Sequence, residues 1–113
     1  MECIFCKIIN KEIPSTIVYE DDEILAFNDI NPMTPVHVLI IPKKHISGLS
    51  EMTEEDINTI GKIQFIAKKI AKEMGIEYTG YRVISNCGDD AQQSVKHLHY
   101  HLLGGRRMSI DMG

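Results

Sequence analysis

Apolar residues recur along this chain with two different periods, and each period predicts its own kind of element. Ile57, Ile60, Ile63, Ala67, Ile70 and Met74 return every three or four residues, which predicts an amphipathic helix over 54–74 with one core stripe. Thr53 is placed to cap it, Glu54, Glu55 and Asp56 complement the dipole of its first turn, and Gly75 stops it. Lys62, Lys68, Lys69 and Lys72 fall largely outside the stripe and read as a solvated face. Elsewhere the apolar runs are short and rich in branched and aromatic side chains. Residues 16–19 and 24–27, parted by the acidic turn Glu20-Asp21-Asp22-Glu23, predict an antiparallel hairpin. Residues 37–41 are apolar without alternation after His37, which predicts a central strand covered on both faces. Two more strands are predicted over 81–85 and 97–103, on either side of a polar loop at 86–95.

Before the first strand, residues 3–10 predict a short helical turn that puts Ile4, Ile8 and Phe5 on one side and is closed off by Pro14. Pro32 and Pro35 make 29–35 a loop. Strands that come in runs, with no βα alternation, predict an α+β domain: a five-stranded antiparallel sheet, one long helix on one face, and a short N-terminal helix. At 113 residues and 43% hydrophobic content, the expectation is a single domain over 1–113 with one functional site.

A net charge of −4 argues against a partner that is a nucleic-acid polymer, since tracking a phosphate backbone needs many cations. A small phosphorylated ligand needs only local donors around one or two phosphates. No charged and apolar leader opens the chain and no apolar run is long enough for a membrane span, so a cytoplasmic protein with no membrane partner is expected. Cys3 and Cys6 are too close in sequence to suggest a disulfide framework, and Cys87 has no evident partner.

The chemistry concentrates in His97, His99 and His101, which a strand would align on one face, and in His37 and His45, which bracket the central apolar run. The outer two of the three would lie roughly 13 Å apart along a regular strand, too far to share one ion. Adjacent ones could share a metal; alternatively, His99 is a nucleophile toward phosphorus, with His101 one pleat away as a donor to phosphate oxygens and the Ser94 hydroxyl near the leaving group. Cys3-x-x-Cys6 supplies half of a zinc site, which His45 and His97 would complete as a closed structural centre.

The sequence resembles the histidine-triad family, whose His-x-His-x-His signature followed by apolar residues is met by residues 97–103. Cys-Ile-Phe-Cys-Lys-Ile-Ile from Cys3, Phe-Asn-Asp-Ile-Asn-Pro from Phe27, His-Val-Leu-Ile-Ile-Pro-Lys-Lys-His from His37, Gln-Ser-Val from Gln93 and Leu-Gly-Gly-Arg from Leu103 are similar to that family's blocks in the same order. The resemblance is greatest to its nucleotide-binding branch: homodimers that hydrolyse purine nucleoside phosphoramidates. It implies that His99 takes up the nucleoside monophosphate, that His101 holds phosphate oxygens, that Ser94 assists the departing amine and that His37 supports His99. It further implies Asp29 on the ribose, Ile4, Phe5, Ile8, Phe27 and Ile30 around the base, and Asn86, Gln92 and Gln93 on the phosphate side. Zinc on Cys3, Cys6, His45 and His97 is implied as well, matching the ligand set reached from the residues alone. Two positions depart from the pattern. Gln92 stands where many members have glycine, and the tail from Met108 to Gly113 lacks the aromatic residue of the phosphoramidase branch.

The expected reaction is attack by His99 on the α-phosphorus of a nucleoside 5'-phosphoramidate, followed by hydrolysis of the nucleotidyl-histidine. Three other readings compete. They are a dinucleoside polyphosphate hydrolase using the same His99, a nucleotide-binding scaffold with incidental hydrolysis, and a metal-dependent enzyme that uses His97 and His99 as ligands.

Overall fold

The structure is a computed structural model, and residues 3–111 are described. Helix α1 (Ile4–Ile9) is followed by strands β1 (Ile17–Glu20), β2 (Ile24–Asn28) and β3 (Val36–Pro42). Helix α2 (Ile57–Glu73) comes next, then β4 (Tyr81–Ile84) and β5 (Tyr100–Gly104). The strands form one antiparallel sheet in the order β1-β2-β3-β5-β4, with β3 at its centre.

Alternation along β2 and β3 assigns the two faces. Ile24, Ala26, Val38 and Ile40 pack with Ile63, Ile66 and Ile70 of α2, while Leu25, Phe27, Leu39 and Ile41 pack with Phe5 and Ile8 of α1. Both faces of the central strand are therefore covered, which is why its apolar run does not alternate with polar residues. The α1 face is the thinner cover, and it is there that the imidazoles gather.

The observed elements differ from the predicted ones in three places. The core stripe of α2 is rotated: Ile63, Ile66, Ala67, Ile70 and Ala71 are buried, whereas Ile57 is 58% exposed and Met74 is 38% exposed. Residues 54–56 form a tighter 3-10 turn before the α-helix begins at Ile57. Thr53 does mark the boundary, because its backbone N–H donates to the buried Asp56 carboxylate at 2.8 Å, and Lys44 Nζ lies 2.8 Å from the same group.

The second difference is at β1, which runs over 17–20 rather than 16–19 and carries an irregularity between Ile17 and Tyr19 against β2. Third, β5 begins at Tyr100, so His97, Leu98 and His99 precede the ladder. Leu98 is instead tied by its N–H to the carbonyl of Ile46. The last two residues of the divergent tail, Met112 and Gly113, lie outside the described residues, as do Met1 and Glu2.

Candidate active site and metal centre

The chain entering β5 distributes its three histidines between two sites. His97 is fully buried and its Nε2 donates to the carbonyl of Pro42 at 2.8 Å. A carbonyl oxygen can only accept, so Nε2 carries the proton and Nδ1 is bare. That bare nitrogen lies 3.4 Å from Cys3 Sγ, 3.6 Å from Cys6 Sγ and 3.2 Å from His45 Nδ1, with Cys6 Sγ 3.3 Å from His45 Nδ1. A tetrahedral shell with ordinary zinc bond lengths has edges of about 3.3–3.8 Å. The four donors therefore fit a tetrahedral metal.

The donor chemistry agrees. Burial and the neighbouring Cys3 push the Cys6 thiol up to about 11, so that thiol favours the protonated form until a cation reverses the preference. His45 contributes Nδ1, while its Nε2 is buried with no hydrogen-bond partner among the described residues. The outer nitrogen of His97 is thus fixed by the backbone and that of His45 is not.

The remaining imidazoles are set by a second chain of hydrogen bonds. His99 Nδ1 donates to the carbonyl of His97 at 2.7 Å, which leaves Nε2 as the bare, nucleophilic nitrogen of the neutral ring. Phe5 meets this ring edge-on, with centroids 5.1 Å apart. Meanwhile the backbone N–H of Met33 donates to His37 Nδ1 at 3.0 Å, so the His37 proton sits on Nε2, 3.0 Å from His101 Nδ1. His101 accepts there and is left with its own proton on Nε2. One ring offers a lone pair, and its neighbour at 5.1 Å between centroids offers an N–H.

Charge state follows from burial. His37, His99 and His101 are all held below the usual imidazole range, chiefly because burial disfavours the cation, and His101 is pushed down to about 4. The nearby Asp29 carboxylate opposes this at each ring, and its Oδ2 lies 3.4 Å from His37 Nε2. Asp29, His37 and His101 bring three potential ligand atoms within 4.8 Å of one another. The Met33 N–H bond keeps the proton on His37 Nε2, however, so this cluster is a hydrogen-bond relay rather than a metal centre.

A cleft of about 600 Å³ opens onto these rings, lined by His99, His101, Ser94 and Asp29 at one end and by Ile4, Phe5, Ile8, Phe27, Ile30 and Leu39 around an apolar recess. Ile4, at 50% exposure, and Ile30, at 91%, are rim residues, while Phe5, Ile8 and Phe27 are buried in its floor. The proposed phosphate-side residues from the polar loop are placed differently. Gln93 is buried, with Oε1 accepting from Gly88 N–H and Nε2 donating to the carbonyls of Ser47 and Val95. It ties the loop together with its amide, and neither Gln92 nor Asn86 is among the residues lining the cleft. Gln92 adopts φ 59°, the left-handed conformation that glycine takes without strain. Its backbone thus follows a glycine path although its side chain is large. Sequence reading missed the backbone groups that fix the ring tautomers, the Met33 N–H and the Pro42 carbonyl, because main-chain donors and acceptors leave no residue signature.

An α+β domain with an apolar recess ending in two complementary imidazoles, one buried and one half-buried, beside a Cys-Cys-His-His cluster, defines a histidine-triad protein. The comparisons agree. Residues 2–112 match the family described as scavenger mRNA decapping enzyme C-term binding. The chain is 54% identical over 97% of its length to a 14 kDa zinc-binding protein from Zea mays, of which it covers 87%. It is 50% identical over 97% of its length to adenylylsulfatase HINT1 from Arabidopsis thaliana, of which it covers 76%. Among solved structures, a HIT family hydrolase from Legionella pneumophila superposes with a TM-score of 0.96 at 46% identity, covering 99% of this chain and all of that one. A histidine triad protein from Clostridium difficile gives 0.95 at 53% identity, covering 99% and 97%. The chain belongs to the histidine-triad family.

Proposed function

We propose that the protein is a nucleotide hydrolase that cleaves nucleoside 5'-phosphoramidates through a nucleotidyl group carried on His99. The observation that carries this reading is the His99 to His97 carbonyl bond, which turns a neutral ring so that Nε2 is left to the cleft. The lone pair of Nε2 attacks the α-phosphorus and the P–N bond breaks. The amine leaves with a proton brought from solvent through the Ser94 hydroxyl. Water then attacks phosphorus, the P–Nε2 bond breaks, its electron pair returns to His99, and one proton goes back to solvent. Two moderate barriers replace one high one.

As His99 becomes cationic in the attack, its Nδ1–H bond to the carbonyl strengthens, and His101 Nε2–H stabilises charge on the phosphoryl oxygens. Asp29 holds the ribose, and the apolar recess from Ile4 to Ile30 takes a purine. The relative named an adenylylsulfatase supports this choice of reacting atom, since adenylylsulfate also carries its leaving group on an α-phosphorus. A dinucleoside polyphosphate would react at the same histidine.

The metal is zinc, held by Cys3, Cys6, His45 and His97, and relatives named zinc-binding proteins support it. Four protein ligands close its shell, so its contribution is to tie α1 to the segment entering β5. Three free thiols suit a reducing cytoplasm. The working unit is a homodimer, a state that a molar-mass measurement in solution checks.

The test is intact mass after brief mixing with adenosine 5'-phosphoramidate, alongside release of adenosine monophosphate. A nucleotidyl adduct and turnover are expected, both lost in His99→Ala. Normal turnover by the variant would sink the assignment of the nucleophile. Binding without reaction in either protein would turn the reading to a scaffold.

A further inference from the structure

The Leu-Gly-Gly-Arg run from Leu103 carries the chain out of β5, and neither Gly105 nor Arg106 is among the residues lining the cleft. Both meet the loop at 29–35 instead. Gly105 takes φ 98°, and a Cβ at this position would lie 2.9 Å from Pro35 Cβ, so the chain passes the loop at a distance that glycine alone allows. The turn brings the exposed Arg106 against Met33, whose carbonyl accepts from Arg106 Nη2 at 3.1 Å. Arg106 Nη1 donates to the carbonyl of Arg107 at 3.0 Å, which orients the guanidinium. The Met33 side chain is exposed, so its main chain sets its place. That main chain is held on both sides of Cα: the N–H donates to His37 Nδ1 at 3.0 Å, and the carbonyl accepts from Arg106.

We infer that Arg106, seated by Gly105, is a positioning residue for the reaction: it holds Met33 so that the Met33 N–H keeps the His37 proton on Nε2, which keeps the His101 proton on the nitrogen that meets the phosphoryl group. The inference rests on the reading of His99 as nucleophile and of His101 as donor to phosphoryl oxygen. The line of bonds is continuous, from Arg106 to the Met33 carbonyl, from Met33 N–H to His37 Nδ1, and from His37 Nε2–H to His101 Nδ1 at 3.0 Å. The rest of the loop is tied locally. Asp29 N–H donates to the His37 carbonyl, Asn31 N–H to Asp29 Oδ1, and Thr34 Oγ1 to the Val36 carbonyl. Asp29 and Ile30, which line the cleft, are thus held without Arg106. Once Arg106 is removed, Met33 N–H is free to leave Nδ1, and His37 gains a second tautomer with its proton on Nδ1. Nε2 of that tautomer is an acceptor, so His101 donates to it from Nδ1 and turns a bare nitrogen to the phosphoryl oxygens. Asp29 Oδ2, 3.4 Å from His37 Nε2, still favours the working tautomer, so the second is a partial population.

The experiment measures kcat and KM for adenosine 5'-phosphoramidate, together with nitrogen NMR of histidine-labelled protein, in Arg106→Ala, Arg106→Lys, His37→Gln and the Arg106→Ala/His37→Gln double variant. Arg106→Ala is expected to lower kcat about fivefold, the equivalent of one ordinary hydrogen bond, with KM unchanged. The His37 and His101 nitrogens should move toward a mixture of tautomers while His99 keeps its proton on Nδ1. Arg106→Lys returns a donor to the Met33 carbonyl and is expected to restore most of both. Beside His37→Gln the loss should vanish, because residues that act through one line of bonds do not add. Arg106 is exposed, and an unchanged melting curve for Arg106→Ala verifies that the variant is folded. A wild-type kcat in Arg106→Ala, unchanged tautomers, or a loss that persists in full beside His37→Gln overturns this inference and leaves the hydrolase reading intact. Absence of turnover by the wild type overturns both.

Discussion

His99 donates its Nδ1–H to the carbonyl of His97 at 2.7 Å, so the residue that belongs to the Cys-Cys-His-His cluster also fixes the tautomer of the proposed nucleophile. Leu98 alone separates the two residues along the chain. Nitrogen NMR of histidine-labelled protein near neutral pH is expected to show His99 protonated at Nδ1 alone and His101 at Nε2 alone. Rapid exchange between tautomers at His99 would contradict the hydrogen-bond assignment.

Loss of the neighbouring donor tests the second ring. His101→Ala is expected to lower kcat by about 100-fold, within the usual range for a positioned acid or hydrogen-bond donor. His37→Gln, which unfixes His101 without removing it, is expected to cost about tenfold, an order less than its neighbour. Steady-state and single-turnover rates distinguish the two, and equal losses would mean that His37 does more than orient.

Acid should affect activity and stability in the same direction. The unfolded chain protonates each imidazole near 6.5, whereas burial delays His101 in the folded protein to about 4. Between these values the unfolded chain binds more protons, so the stability contribution is full above about pH 6.5 and is lost as pH falls toward 4. Because His99 is likewise held below the ordinary range, the acid limb of kcat/KM is expected below pH 6.5. Denaturant titrations and a pH–rate profile check both.

Metal removal should act through the fold. One zinc per chain is expected by elemental analysis. Chelation or Cys6→Ser is expected to cost about 3 kcal/mol or more, a fall in Tm of roughly 12 °C for a domain of this size. Protein that remains folded should keep the reaction at His99. Full loss of turnover with an unchanged melting curve would instead favour a metal that takes part in the chemistry.

The rotated helix stripe gives a stability test. Ile66→Ala is expected to cost about 2–5 kcal/mol, as for a buried isoleucine elsewhere. Ile57→Ala, at an exposed position, should stay within about 0.5 kcal/mol. Gln92→Gly should stabilise slightly, by about 0.5–1 kcal/mol: relief of the left-handed strain, about 1–2 kcal/mol, is offset by about half through the greater backbone entropy of glycine, about 0.5–1 kcal/mol. Urea unfolding of the three variants orders them.

Local pattern and residue chemistry were enough to determine much of this protein. The unbroken run from Val38 to Ile41 required a strand covered on both sides, and β3 is the centre of the sheet. Cysteines three apart with two distant histidines specified a cluster that could hold a metal, because few side chains can bind one and their spacing is legible. Spacing alone singled out the triad, and the resemblance carried the residues of the apolar recess.

Tertiary structure decided what depends on the path of the backbone. Periodicity does not settle which residues at the edges of a helix stripe meet the core: Ile57 is exposed, and Ile66, which the stripe did not include, is buried. Alternation along a strand could not separate His97 from His99 and His101, because the segment enters the ladder only at Tyr100. Gln93 was legible as polar, but only the folded loop shows its amide consumed by Gly88, Ser47 and Val95. The tautomers of four rings rest on the carbonyls of Pro42 and His97 and the N–H of Met33. Every residue but proline carries both groups, so no sequence pattern marks which of them will meet an imidazole; that is set by where the folded chain passes.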